Sequence, residues 1–294
     1  MQRIAKWAGY GLAILMGVAV VAVGGAYAVS EAMIRWPVEK PATTLVASTG
    51  PDAVERGRRV AVVAGCQGCH GQTLQGLMFH DEPGLMKAWG PNVTLVAAKA
   101  SDADLDRAIR HGVGADGRRL WIMPSNAFSR LTDQETADLI AYIRSFPAGG
   151  ETQPRFKLAP KARLGVLLGM FHSEPDTIVI QRRLALADVG PQHARGRAMA
   201  RACVECHGAE LKGGGVMNTP DLTIAAAYDD ADFERLMRTG VAAGNRKVGL
   251  MSQIAPDRFG SWSSEEIAAL HGYLKARAQQ QIAQASDHAS GASR

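Results

Sequence analysis

Residues 64–71 read Ala64-Gly65-Cys66-Gln67-Gly68-Cys69-His70-Gly71, and residues 201–208 read Arg201-Ala202-Cys203-Val204-Glu205-Cys206-His207-Gly208. These two stretches hold all 4 cysteines of a chain of 294 residues. Each is C-x-x-C followed at once by histidine, the pattern through which c-type haem is attached. Chemistry explains the spacing. Two thiols add across the two vinyl groups of a porphyrin, a helical turn sets their separation, and the next residue delivers an imidazole to the iron from the same side. In an exported chain the cysteines could instead close two disulfides, and C-x-x-C alone serves redox and zinc sites. Neither alternative accounts for a histidine after each pair. The sequence therefore implies two covalently bound haem c groups, one on Cys66, Cys69 and His70 and one on Cys203, Cys206 and His207.

The repetition extends beyond the motifs. After the first come Pro91-Asn92-Val93-Thr94, Arg110-His111-Gly112-Val113, Met123 and a run ending Leu139-Ile140-Ala141-Tyr142-Ile143-Arg144. After the second come Pro220-Asp221-Leu222-Thr223, Arg238-Thr239-Gly240-Val241, Met251 and Leu270-His271-Gly272-Tyr273-Leu274-Lys275. The offset is 129 from Thr94 to Thr223, and 128 from Arg110 to Arg238 and from Met123 to Met251. Thr132 with Glu135, and Ser263 with Glu266, have the spacing of capping boxes that open a helix. Apolar residues then recur at helical period. A further helical stretch opens ahead of each motif, at Arg56-Gly57-Arg58 and Arg195-Gly196-Arg197. No alternating run of β-branched residues stands out. Each unit is expected to be an all-helical bundle.

This order of helix, C-x-x-C-H, proline-containing loop, G-V helix end, methionine and aromatic-bearing final helix resembles the class I cytochrome c fold, present twice in tandem over residues 52–147 and 193–278. The fold class expected is all-α. Within that class the chain is similar to the multi-haem cytochrome c subunits of membrane-associated bacterial dehydrogenases, whose repeats carry similar P-N-x-T and M-P-x-x-x-F patterns. Those subunits often have three haems, and this sequence shows two motifs. The resemblance places a methionine on the distal side of each iron, where a thioether raises the potential relative to a second histidine. Met123, followed by Pro124 and Phe128, takes that place for the first haem. Met251 aligns with it for the second, although Ser252 replaces the proline; Met217, after a glycine run, is the main rival, and Met237 has the surroundings of a packing residue. Met78, Met86, Met170 and Met199 are read as packing residues too. His80, His111, His172, His193, His271 and His288 form no pair at metal-ligand spacing and are expected on the surface or in the core. Of these, His80 and His111 lie inside the first unit. Tyr142, Tyr273, Trp89 and Trp262 are expected to pack helices or cover haem edges.

Composition bounds the rest. Hydrophobic residues make up 47% and charged residues 21%, as in an ordinary folded chain. Most of the formal net charge of +5 resides outside the two units, in the first 51 residues and in residues 148–192, and the units themselves are close to neutral. No basic stripe on either unit marks a nucleic-acid partner. Residues 1–51 hold 22 residues without a charged side chain, Ala8 to Val29, preceded by Arg3 and Lys6. That run can cross a bilayer as a helix, and the basic residues before it favour a cytoplasmic N-terminus. The expectation is a single-pass anchor in the inner (cytoplasmic) membrane with the haem units in the periplasm or outside. The rival is a cleaved signal peptide, since Ala26-Tyr27-Ala28 has the A-x-A form, which would leave a soluble periplasmic protein. Residues 148–192, punctuated by Gly149, Gly150, Pro154 and Pro160, form a linker with an apolar patch from Leu164 to Phe171, expected to pack between the units. Residues 279–294 are expected to form a frayed, disordered tail.

Two six-coordinate irons offer no open position for substrate. The expected function is therefore single-electron transfer from a dehydrogenase or quinol-oxidising complex to an oxidase or soluble cytochrome. The alternative is a two-haem enzyme, peroxidase-like, which needs one iron open to its substrate. A third reading is a permanent electron-transfer subunit of a larger oxidoreductase.

Overall fold

A computed structural model of the chain describes residues 2–214 and 218–291, with the side chains of all of these except residues 2, 4, 5, 8 and 287–291. A long helix, α1 (Gln2–Arg35), comes first. In the first repeat α2 (Ala53–Val63) leads into a single turn, α3 (Cys66–His70), and then a hairpin of β1 (Leu77–Glu82) and β2 (Met86–Gly90). Next come α4 (Val93–Ala97), then α5 (Asp102–Asp106), which widens through Arg107–His111 and stops at Gly112. Short α6 (Ser125–Phe128) and the longer α7 (Asp133–Arg144) close the repeat. The connecting segment adds β3 (Lys157–Leu158), α8 (Pro160–Leu167) and α9 (Glu174–Gln181). The second repeat holds α10 (Ala194–Met199), α11 (Val204–His207) and α12 (Asp230–Thr239). Two-residue strands β4 (Val241–Ala242) and β5 (Arg246–Lys247) follow, then α13 (Met251–Phe259) and α14 (Ser264–Gly291).

Each repeat is built on one crossing of two helices, and a glycine makes the crossing possible. A Cβ on Gly57 would lie 1.9 Å from the Asp138 carbonyl oxygen, and one on Gly196 would lie 2.0 Å from that of Ala269. The helices touch backbone to backbone there, beside Tyr142 in α7 and Tyr273 in α14. At the first crossing the Arg56 guanidinium donates two hydrogen bonds to Asp138, 2.8 and 2.9 Å long. The final helices start at the capping boxes that the sequence spacing predicts. The Thr132 hydroxyl accepts from the Glu135 N–H while Glu135 accepts from the Thr132 N–H, and Ser263 and Glu266 exchange the same pair of bonds.

The apolar faces meet in separate cores. Leu139, Ile140 and Ile143 of α7 close on Leu74, Leu105 and Ile109 in the first repeat. Leu270, Tyr273 and Leu274 of α14 close on Leu211, Phe233, Met237 and Trp262 in the second. Ala127 of α6 belongs to the second core, and Phe128 borders both, so the repeats pack directly on one another at α6.

Three features differ from the sequence expectation. The hairpin β1–β2, extended by β3 pairing Lys157 and Leu158 with Lys87 and Met86, adds a small antiparallel sheet to a mainly helical fold. Its origin lies in the repeat arithmetic: His70 and His207 are 137 apart, Thr94 and Thr223 only 129, so the first repeat holds 8 extra residues after its motif. The hairpin occupies that insertion. Second, α14 continues past residue 278, where a frayed tail was expected, through Gly291. The run Ala276 to Ser286 is rich in alanine and glutamine and has no glycine or proline, so nothing in it stops a helix. Third, the apolar linker patch does not lie between the repeats. Ala162 and Val166 of α8 instead bury against Ile34 of α1 and Trp121 of the first repeat.

That contact fixes the base of α1. Arg163 donates to the Ser30 hydroxyl (3.0 Å) and to Glu31 (2.7 Å), and its guanidinium stacks 3.9 Å from the centre of the Tyr27 ring. The Trp121 indole N–H bonds the Ile34 carbonyl at 3.2 Å. Before this point α1 projects free of the body: from Gly9 to Ala26 every described side chain is exposed. The stretch Gly9–Arg35 contains an 18-residue window with a mean hydropathy of 2.3 and is long and apolar enough to cross a membrane, as a retained anchor or a signal sequence would be.

Candidate functional site

The two C-x-x-C-H motifs fold alike. Cys66 to His70 form the single turn α3; Cys203 ends a 3₁₀ turn that continues as α11 to His207. Within each pair the cysteines therefore lie one helical turn apart, on the side from which the histidine follows. Each turn stops at a glycine, Gly71 or Gly208, with φ near 77° and 79°. The chain then bends back so that the Gly76 N–H bonds the His70 carbonyl at 2.7 Å and the Gly213 N–H bonds the His207 carbonyl at 2.8 Å. Leu74 and Leu211, fully buried, hold left-handed φ values of 57° and 60° in these loops. A bulky residue adopts that conformation only where its surroundings enforce it. Its carbonyl in each case accepts the N–H of the segment that follows the proline, Val93 or Leu222.

That proline segment orients the histidine. His70 Nδ1 lies 3.0 Å from the Pro91 carbonyl oxygen, and His207 Nδ1 lies 2.9 Å from that of Pro220. Burial holds both imidazoles below their usual pKa, outweighing the carbonyl contact. A neutral ring whose Nδ1–H donates to a carbonyl presents the lone pair of Nε2, the tautomer that a metal ligand needs. The thiols point the same way. Burial pushes Cys66 and Cys203 up to about 12, Cys69 up to about 11, and Cys206 upward as well, with the Arg258 guanidinium opposing the rise at each. Low-pKa redox cysteines have the opposite character. Among the described residues no cluster of three or more His, Cys, Asp and Glu side chains has the arrangement of a bare-metal site. The donor set suits a porphyrin: two sulfurs one turn apart and one oriented imidazole, twice.

Both methionines at the 128-residue offset border the right cores. Met123 packs on the core that Cys66 also borders, and Met251 on the one that Cys203 borders. Their segments are tied to the preceding helix by different means. In the first repeat the Ser125 hydroxyl donates to the Ala108 carbonyl at 2.8 Å, and the Asn126 N–H donates to Glu174 at 2.7 Å. In the second, Gly240 at the end of α12 comes so close to the backbone of Ser252 that a Cβ would stand 2.1 Å from its carbonyl oxygen. Met123 precedes Pro124 and α6, while Met251 is itself the first residue of α13. Met217 lies outside the described residues, and so does the side chain of His288. Met237 is buried in the second core, as a packing residue would be. His271 is a core residue too, its ring stacked 4.2 Å from that of Phe233 and its Nε2 3.0 Å from the Ala225 carbonyl.

The sequence reading missed two groups at the sites. Glu174 at the start of α9 is almost fully buried against the Met123 segment, and burial pushes its carboxyl up to about 7. Arg258 of α13 reaches from the second repeat to the first: its Nε donates to the Val63 carbonyl and its Nη2 to Glu205, each at 2.7 Å. Around it lies a cleft of about 350 Å³ at the junction of the repeats, crossed by the ion pairs Arg201–Glu135 and Arg59–Glu266. No motif flags a lone arginine, although the 128-residue offset does place Arg258 opposite Arg130.

Comparison with known proteins gives a consistent result. The cytochrome c family model matches residues 54–147 and again 193–278. Over 272 residues, 80% of this chain and 55% of the relative, 26% of positions are identical to the fructose dehydrogenase cytochrome subunit of Gluconobacter japonicus. Identity is also 26% over 275 residues, 80% of this chain and 58% of the relative, to the cytochrome c subunit of the quinone alcohol dehydrogenase of Gluconacetobacter polyoxogenes. A shorter match, 31% identical over 118 residues, is to a subunit of the nicotinate dehydrogenase of Pseudomonas putida, covering 37% of this chain and 10% of the relative. The chain thus spans a little over half the length of the first two relatives.

Proposed function

The chain belongs to the cytochrome c family, and from that premise we propose that it is a membrane-anchored carrier holding two haem c groups and passing electrons singly between redox proteins. Covalent haem c and electron transfer to and from redox partners follow from the family; the count of two, the ligands and the anchor are our reading.

One observation carries it. Each repeat presents the same constellation: a C-x-x-C-H turn, a histidine whose Nδ1 is tied to a proline carbonyl, and a methionine segment bordering the core that the first cysteine of the motif also borders. Cys66 and Cys69, and Cys203 and Cys206, then hold the porphyrins as thioethers. His70 and His207 would ligate the iron through nitrogen, and Met123 and Met251 through sulfur. When bound, the haem supplies one-electron iron chemistry. The residues do the rest: they fix coordination, surround it with apolar side chains, and bring the two attachment segments to one junction. With these four side chains as ligands, neither site would admit a substrate.

The 26% identity to cytochrome subunits of fructose and alcohol dehydrogenases supports a dehydrogenase as electron donor, with a quinol-oxidising complex as the other candidate and an oxidase or soluble cytochrome as acceptor. The projecting α1, uncharged from Ala8 to Val29, supports attachment to the inner membrane with both repeats on its outer side. The test is a potentiometric titration of the detergent-extracted protein with haem counted against polypeptide. Two haems per chain, titrating as two one-electron steps, support the reading; a single haem per chain contradicts it.

A further inference from the structure

We propose that Arg258 is a positioning residue shared by the two haem-attachment segments, where its fixed positive charge sets the redox potentials of both centres together. The inference rests on the two-haem reading and deepens it by naming the residue that couples the sites.

The geometry is that of a bridge. Arg258 leaves α13 of the second repeat and donates through Nε to the carbonyl of Val63, three residues ahead of Cys66. Through Nη2 it donates to Glu205, which stands between Cys203 and Cys206. Gly65, adjacent to Cys66, lies against the same guanidinium: a Cβ on it would sit 3.1 Å from the central carbon. One side chain therefore touches both attachment segments, from a position 195 residues distant in sequence from the first contact. It is well enclosed, with 12% of the Arg258 side chain and 22% of Glu205 exposed. Only an arginine makes this pair of contacts, because its planar fork donates in two directions at once. Arg130 occupies the matching place in the first repeat but donates to the Leu184 carbonyl at 3.1 Å, in the connecting segment. The bridge is built from one side.

Charge follows from the geometry. An iron centre gains one positive charge on oxidation, so a cation held nearby disfavours the oxidised form and raises the potential. Water and salt screen an enclosed charge far less than an exposed one. Glu205 opposes Arg258 from within the second motif, so removing either partner shifts the potentials in opposite directions. Because the guanidinium contacts both segments, both centres respond.

The experiment is a spectroelectrochemical titration of the full-length, detergent-extracted protein and three variants, with haem per chain determined first. Arg258→Gln is expected to lower both potentials, Arg258→Lys to keep them nearer those of the parent than Arg258→Gln does, and Glu205→Gln to raise both. Should Arg258→Gln fail to load haem, the Glu205→Gln titration decides alone: a rise at both centres supports the inference and no rise overturns it. Two loaded haems whose potentials ignore Arg258→Gln, or of which only the second responds, also overturn it. Fewer than two haems in the parent protein would instead defeat the two-haem reading on which the inference stands.

Discussion

In the proposed sites His70 and His207 are the nitrogen ligands, yet the residues that aim them are not polar at all. Pro91 and Pro220 contribute only backbone carbonyls, and these settle which imidazole nitrogen stays free. The distal side is less symmetrical. Replacing Met251 by leucine removes a thioether and nothing else of size, so the long-wavelength methionine-to-iron band of the oxidised protein should fall by about half, a single ligation of two. A Met237→Leu change, deep in the second core, should leave the band whole; the reverse pattern would remove Met251 from the iron. Glu174 gives a pH signature. Its folded-state pKa of about 7 exceeds the ordinary 4.5, so the fold favours the protonated form. The stability gained is complete below the unfolded value and is lost as pH rises through 7. Glu174→Gln keeps an acceptor for the Asn126 N–H and removes the charge. We expect it to flatten the decline in melting temperature between pH 5 and pH 8 and to gain about 1–3 kcal/mol at the upper end. Parallel declines in parent and variant would show that Glu174 does not titrate in this window.

At the scale of elements, the fold turns on two helix crossings. Gly57 of α2 approaches α7, and Gly196 of α10 approaches α14, so closely that a methyl group at either has no space. Gly57→Ala and Gly196→Ala should each cost about 2–3 kcal/mol, since the helices must part to admit the group. Denaturant melts would show it, and a cost under about 0.5 kcal/mol would mean the crossing is looser than described. Much of this architecture was legible in the chain. Helix starts at Thr132 and Ser263 follow from capping chemistry local to four residues, and the repeat follows from offsets of 128 and 129. The hairpin β1–β2 was not foreseen, because Leu77–Glu82 has no alternating pattern: Leu77, Phe79 and His80 are half-buried while Met78, Asp81 and Glu82 are exposed. Only the 8-residue change of offset between His70 and Thr94 betrays it. Arg258 was invisible for a different reason. Its role depends on how the two repeats dock, and that contact is long-range packing, which no local periodicity encodes.

Taken whole, the molecule is two cytochrome c repeats docked at α6 and α13, with a long apolar helix pinned to the first by Arg163, Trp121 and α8. The pinning matters for orientation: α8 holds the last turns of α1, from Tyr27 to Ile34, against the body, so the first repeat stands close to the membrane surface wherever α1 is retained. Retention predicts that the protein stays with membranes through high-salt and alkaline washes and is released only by detergent; release by the washes would favour cleavage near Ala28. The proposal on which the rest depends is closure of both irons by protein ligands, for electron transfer alone. Its most direct test is the visible spectrum of the purified protein, oxidised and then reduced, before and after carbon monoxide. We expect two haems per chain, a methionine-to-iron band from each, and a reduced spectrum that carbon monoxide leaves unchanged. A haem that takes up carbon monoxide would contradict it, by exposing an open iron where a substrate can bind.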